Sequence, residues 1–237
     1  MELIQSDVLD YLQDQENNTF DMVFADPPDN IGLNYGLYSD DLPPEEYYKN
    51  IRLLIQDSLR LAPTVWLSYY WKHDLDIKNI VYNYKRNVLP TLKVKTFIWR
   101  FTFGQHNQSD CGSGFRFLLR LSRYSASVYP DNIREMSERQ RIGDKRADPL
   151  GRVPDDVFDF PRVVGNAHER RSWHPTQHPE SLMKRIILLS TKRGDKVLDL
   201  YSGTGTTMRV CHLLGRDCTG VEIDPTYCKN IKKELSL

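Results

Sequence analysis

VLDLYSGTGTTM (197–208) is a short apolar strand, a glycine turn and the start of a helix in twelve consecutive residues. Gly203 and Gly205 let the backbone come close to a ligand at the carboxyl end of the strand, where α/β sheets bind small molecules. About twenty residues further on, GVEID (220–224) closes the next strand with an acid, Glu222. Strand, glycine turn, helix, strand, acid is the repeating grammar of a doubly wound α/β fold.

Working outward, the same alternation holds over most of the 237 residues. FDMVFA (20–25) has strand length. PPEEYYKNIRLLIQDSLRLA (43–62) has proline and two glutamates in its first turn and Ile51, Ile55 and Leu59 at helical spacing, so a helix is predicted there. TVWLSYYW (64–71) reads as a strand and 73–86 as a helix. KVKTFIWRFTF (93–103) and GFRFLLRLSRYS (114–125) read as two strands of a hairpin, the second with Phe115, Phe117, Leu119 and Leu121 opposite Arg116 and Arg120. A helix (PESLMKRIILLST) precedes the glycine-turn strand. Another, PTYCKNIKKEL, closes the chain with Asp224 as N-cap and Pro225 at its first position. One domain over 1–237 is expected, with a polar insertion at 126–172 between the portions 1–125 and 173–237. The sheet is expected to be mostly parallel and covered on both faces.

Composition narrows the class. Hydrophobic residues make 40% and charged residues 27% of the chain, and the formal net charge is zero. A protein that coats nucleic acid by bulk charge is excluded, but a local basic patch is not. No apolar run reaches membrane length. The start, MELIQSDVLD, lacks the look of a signal peptide, and the four cysteines show no CxxC spacing, so reduced thiols and a cytoplasmic location are expected. His174 and His178 are four apart, but the prolines around them spoil a helical pair and no third ligand is in sight, so no metal is expected.

The glycine turn admits two ligands. A dinucleotide site needs a third glycine, and Met208 stands there instead. S-adenosylmethionine (SAM) has a ribose but no phosphate, so a ribose acid such as Glu222 matters more than a phosphate cradle.

A second stretch, ADPPDN (25–30), ends a strand with two stiff prolines between two acids. Together with SDVLDYL, WHPTQHPESLMKRII, VLDLYSGTGTT, VPDDVFDFPRVVGNAHERR and the hairpin strands IWRFTFGQHN and FRFLLRLS, it resembles the β-class SAM-dependent DNA amino-methyltransferases, which act on adenine N6 or cytosine N4. The resemblance implies a seven-stranded sheet with one antiparallel hairpin, a catalytic half at 1–125 and a cofactor half at 173–237. It also implies that Asp26 and the Pro27 carbonyl accept hydrogen bonds from the target amine, with Pro28 and Asp29 completing the catalytic motif. It places Asp7 at the cofactor's adenine and Glu222 at its ribose. Asp26, Asp199, Tyr201, Ser202, Gly203, Gly205 and Thr206 would lie along the methionine side, with Thr176 and Gln177 at its carboxylate. Read from the residues alone, Thr176 is rather a cap for the helix that follows.

The chain departs from the family at Asp29, where an aromatic residue usually stacks on the flipped base, at Tyr201 for phenylalanine and at His178 for lysine. Tyr35, Tyr38, Tyr69, Tyr70 and Trp71 are candidates for the missing platform. The alternatives are that Asp29 hydrogen-bonds the base, or that it marks a catalytically silent SAM- or nucleic-acid-binding subunit. The insertion holds nine Lys/Arg and nine Asp/Glu over 131–171. By the family pattern it is the target-recognition segment, and Arg116, Arg134, Arg139, Arg141, Lys145, Arg146 and Arg152 are the expected DNA contacts. Adenine N6 is preferred to cytosine N4 because Asp, where cytosine enzymes often carry Ser, opens the motif. RNA, a homodimer and a partner subunit stay open.

Overall fold

The computed structural model describes residues 1–101 and 108–237. Its strands are β1 (Glu2–Gln5), β2 (Met22–Ala25), β3 (Asn34–Tyr35), β4 (Tyr38–Ser39), β5 (Thr64–Tyr69), β6 (Lys93–Arg100), β7 (Phe115–Ser122), β8 (Val157–Asp159), β9 (Lys196–Asp199) and β10 (Asp217–Glu222). Its helices are α1 (Val8–Gln13), α2 (Pro44–Leu61), α3 (Asp74–Asn87), α4 (Glu138–Arg141), α5 (Glu180–Ser190), α6 (Thr206–Leu214) and α7 (Pro225–Leu235). The tail of the strand expected at 93–103, and much of its loop to the next strand, lie outside the described residues.

The main sheet runs β1-β10-β9-β2-β5-β7-β6-β8. All its strands share one direction except β7, which is antiparallel to both β5 and β6. The expected sheet of seven strands is corrected to eight. The extra strand is β8, in the insertion, where Val157, Phe158 and Asp159 pair with Ile98, Trp99 and Arg100 of β6. Without it β6 would present a row of unpaired backbone groups at the sheet edge. A second, unexpected hairpin, β3–β4, projects between β2 and α2.

Alternation along β2 sends its side chains to two cores. Val23 and Ala25 join the α1–α2–α3 face, and Met22 and Phe24 join the α5–α6–α7 face. Both faces are therefore apolar, as a doubly covered parallel sheet requires. Ile51, Ile55 and Leu59 of α2 are all buried. Burying each such side chain contributes about 1.5–3 kcal/mol before entropy is counted. Trp66 of β5 ties the second core to α5 by donating from Nε1 to Ser190 Oγ at 2.7 Å.

The topology brings distant sequence together. From β9 the chain winds outward through α6 to β10; from β2 it winds the other way through α2 to β5. β2 and β9 lie side by side, with Phe24 opposite Asp199, and Leu200 N donates to Phe24 O at 3.0 Å. The Asp-Pro-Pro turn after β2 and the glycine turn after β9 thus share the switch point where such folds open a crevice.

Candidate active site

Two adjoining cavities open at this switch point, of about 140 Å³ and 190 Å³. Asp26, Pro27, Tyr35, His174, Gln177 and His178 line both, so they form the wall between them.

The first cavity lies over β1, β10 and β9. Asp7 caps α1, accepting from Leu9 N at 2.8 Å and more weakly from Asp10 N. Glu222 ends β10 and accepts from Gly203 N and Asp224 N, both at 2.9 Å. Burial raises the Glu222 carboxyl above its usual range, and the two backbone donors oppose that rise. Gly203 has φ +49°, and a Cβ there would come within 3.1 Å of the His174 ring, so the turn needs glycine for both conformation and space. Val8, Leu9, Leu200, Val221 and Ile223 supply an apolar side.

Tyr201, Ser202 and Thr206 line this cavity, whereas Asp199 and Gly205 stand just behind it. Gly205 is the left-handed N-cap of α6. Asp199 is 2% exposed, and its Oδ1 has no hydrogen-bond partner among the described residues. Its carboxyl is pushed up to about 7, first by burial and then by the charges of Asp26 and Glu222, against hydrogen bonds from Thr207 and the Tyr201 backbone. The raised value means that folding favours the protonated form. The resulting stability is complete below the unfolded carboxyl value near 3.8 and is lost as pH rises through about 7. Asp199→Asn should therefore flatten the decline in melting temperature of the unliganded protein between about pH 4 and pH 7, the window set by those two values; an unchanged slope in a fluorimetric melt would contradict it.

Carboxylates at the ends of β1 and β10, an apolar slot between them and a glycine turn with a buried, unpartnered carboxyl oxygen beneath it suit an adenosine joined to a charged amino acid. The residues present fit SAM.

Asp26 dominates the wall. Arg116 of β7 donates from Nη2 to Asp26 Oδ1 at 2.9 Å and from Nη1 and Nη2 to Asp29. His178 Nδ1 lies 3.6 Å from Asp26 Oδ2. Burial alone would raise the Asp26 carboxyl, but His178, Arg116 and hydrogen bonds from Ser68 and Arg116 outweigh it and hold the group below its usual value. His178 is held down chiefly by burial, between the Phe24 and Trp99 rings. Arg116, expected on DNA, is instead an internal clamp with its side chain 18% exposed.

Gln177 spends its amide inside the protein, accepting from Arg171 N and donating to Glu169 O. Thr176 does not cap α5. Pro179 occupies the N-cap, and the first-turn amide of Glu180 donates to Glu169 Oε2 instead.

The second cavity is bounded by Asp29, Tyr70, Trp99, Phe101, Phe115 and Arg116. Of the five aromatics proposed for a base platform, Tyr35 and Tyr70 face it. Tyr38 lines the first cavity, Tyr69 is fully buried, and Trp71 lies on the surface. Sequence reading missed Trp99, Phe101 and Phe115, whose only signal was their place at the open ends of β6 and β7. It also missed Arg162 and Arg170, which line the same cavity.

Most of the insertion's predicted contacts are engaged internally. Arg134 pairs with Asp131 and Asp148, Arg141 with Glu138, Arg146 with Asp144, and Arg152 with Glu135 and Asp155. Arg139 and Lys145 are exposed and have no ion-pair partner among the described residues.

Comparison with known proteins agrees with this geometry. The DNA methylase family profile, N6_N4_Mtase, matches residues 20–233. The type II methyltransferase M.HpaI of Haemophilus parainfluenzae is 28% identical over 235 residues, covering 98% of this chain and 73% of that protein. The DNA adenine methyltransferase YhdJ of Escherichia coli (strain K12) is 30% identical over 239 residues, covering 96% and 80%. Among solved structures, the M1.HpyAVI–SAM complex matches with a TM-score of 0.67 at 20% identity, over 100% of this chain and 99% of that one. The cytosine-N4-specific PvuII DNA methyltransferase matches with a TM-score of 0.69 at 14% identity, over 97% and 84%. With a family match over nearly its whole length, an Asp-Pro-Pro turn after β2 and a glycine turn after β9, the chain belongs to the β-class SAM-dependent N6/N4 DNA amino-methyltransferases.

Proposed function

We propose that this methyltransferase acts on the exocyclic N6 amine of adenine in DNA. The observation that carries the reading is the position of Asp26, on the wall common to both cavities, one oxygen held by Arg116 and the other facing His178. Bound SAM supplies an electrophilic methyl on a sulfonium. Asp7 and Glu222 hold its adenosine end, and the turn at Tyr201–Gly203 holds the methionine end.

An adenine amine is a weak nucleophile because its lone pair is shared with the ring. A carboxylate that accepts one N–H, and a carbonyl that accepts the other, fix the nitrogen's geometry and stabilise the positive charge that grows on it. Asp26 and the Pro27 carbonyl are assigned those roles. Proline has no N–H and a fixed φ, so the turn is stiff. His178 and Arg116 together keep Asp26 ionised. Reaching an amine inside a duplex requires the base to leave the stack. The second cavity, aromatic on one side and flanked by Arg162 and Arg170, is the assigned receptor for that base. These two arginines, with Arg139 and Lys145, are assigned to backbone phosphates, which position the duplex without reading its sequence.

Adenine is favoured by the aspartate that opens the motif and by the similarity to YhdJ, named an adenine methyltransferase. The test is nucleoside mass spectrometry of unmethylated genomic DNA after incubation with protein and SAM. N6-methyladenine is the expected product. N4-methylcytosine would overturn the choice of base, and no product on duplex or single-stranded DNA would overturn the reaction.

A further inference from the structure

The acid at position 29 leaves the catalytic turn without an aromatic ring, yet Asp29 is neither free nor aimed at a ligand. It is 6% exposed at the edge of the second cavity and is held by several hydrogen bonds. Its carboxylate accepts from Arg116 Nη1 and Nη2 and from Tyr70 N, the last at 3.0 Å. Its backbone carbonyl lies 2.7 Å from His73 Nε2, whose other ring nitrogen meets Tyr48 Oη at 3.0 Å. Asp29 thus stitches the turn after β2 to the turn after β5. These strands are neighbours, with Ala25 opposite Leu67, so both turns emerge at the same edge of the crevice. The residue tethered by the stitch is an aromatic, Tyr70.

Of the other rings around the second cavity, two are buried, and Phe115 and Tyr35 are partly exposed, as Tyr70 is. Trp99 is 4% exposed, donates from Nε1 to Phe160 O and packs on Phe101 and His178. Phe101 is 8% exposed beneath the Arg162 guanidinium. Phe115 packs edge-on against Phe117. Tyr35, in the wall shared by both cavities, packs on His174. Tyr70 is partly exposed. Its ring meets only Trp71, at 5.5 Å, and Lys72 Nζ, at 5.8 Å, and its hydroxyl has no hydrogen-bond partner among the described residues.

We propose that Tyr70 is the aromatic platform on which the extruded base stacks, and that Asp29 is a positioning residue that holds Tyr70 in place through its backbone amide. The proposal rests on the reading of the second cavity as the base receptor. In it, position 29 has exchanged a ring for a tether, and the ring is supplied from the adjacent strand. Lys72, next to that ring, sits where a phosphate beside the extruded nucleotide would be met.

The test uses the full chain and a duplex carrying the site found methylated by sequencing, with 5-iodouracil replacing the methylated base. Irradiation couples this base to an aromatic ring stacked on it, and peptide mass spectrometry locates the bond. Methylation of the unmodified duplex is measured in parallel. The expected crosslink is at Tyr70; it falls in Asp29→Ala, while SAM affinity, read by calorimetry, holds. In steady-state kinetics Tyr70→Ala should lose on the order of 10- to 100-fold in kcat/KM for DNA, the scale of one base–aromatic stack, and Tyr70→Phe should recover most of it. A crosslink at Trp99, Phe101, Phe115 or Tyr35 would overturn the platform, as would no crosslink from a protein that methylates the unmodified duplex. A Tyr70 crosslink undiminished in Asp29→Ala would overturn the tether alone. Failure to methylate the unmodified duplex would overturn the underlying function instead.

Discussion

Asp26→Ala is expected to slow methyl transfer on the order of 10²–10³-fold, the usual cost of removing one pre-positioned group that meets charge developing in a transition state. The loss should fall on kcat, because the carboxylate interacts most strongly when the amine nitrogen becomes positive. SAM binding should change far less, since Asp7, Glu222 and the glycine turn remain. The fold should survive as well. Arg116 loses one of its two carboxylates but keeps Asp29, so its charge is not left alone in the interior. A circular dichroism spectrum and a SAM titration on the same sample separate a chemical loss from a structural one. A turnover within a few-fold of wild type would remove Asp26 from the chemistry.

Arg116→Met is expected to behave differently, losing stability and activity together. The side chain fills nearly the same space, but Asp26 and Asp29 are left as neighbouring carboxylates in a site where the guanidinium is only 18% exposed. Removing one partner from such a cluster costs about 3–5 kcal/mol. For a chain of this length that corresponds to a fall in Tm of roughly 10 °C.

The pH dependence should invert around Asp26. In the wild type its lowered carboxyl contributes stability that is present above the unfolded value and lost as pH falls through the folded one. Without Arg116, burial and the charge of Asp29 push the same carboxyl upward against His178, so the variant should regain part of its deficit as pH is lowered from 8 to about 5. Asp29→Asn in the Arg116→Met background should restore part of the lost Tm at neutral pH. A deficit that grows on acidification would contradict the clamp.

Much of this was legible before any coordinates. The alternation of strand and helix, the start of α2 at its prolines, and the start of α7 at Asp224 and Pro225 were local signals that packing did not overrule. Asp224 caps α7 by accepting from Thr226 N and Tyr227 N, as its sequence position suggests. Glu222 and Gly203 could be paired because strand, turn and following strand are consecutive. Asp26 stood out as an acid on a stiff turn.

The rest depended on contacts that a linear reading does not contain. β8 is three residues between acidic loops, and only the open edge of β6 makes it a strand. The β3–β4 hairpin has two-residue strands, and Asp40 secures it by accepting from the amides of Asn30, Ile31 and Leu33. Arg116 and Arg120 looked like the wet face of a half-buried strand. In a sheet covered on both sides that face is also interior. Arg116 meets an acid pair 87–90 residues away in sequence, and Arg120 lies over the Trp66 and Phe97 rings. The insertion's charge count was a poor guide for a related reason. Half of its eight arginines, Arg134, Arg141, Arg146 and Arg152, face acids of the same segment, so counting charges overstated what is left for phosphate.

The central claim is that cofactor and base occupy separate cavities and meet at Asp26. The most direct measurement is a crystal structure of the ternary complex with a SAM analogue that has no transferable methyl and a duplex bearing the methylated site. The account predicts the analogue between Asp7 and Glu222, the extruded base in the cavity beside Asp29 and Tyr70, and its amine nitrogen at hydrogen-bond distance from Asp26 and the Pro27 carbonyl. A base that remains stacked in the duplex, or an amine that approaches the cofactor from a side other than the Asp26 wall, would contradict it.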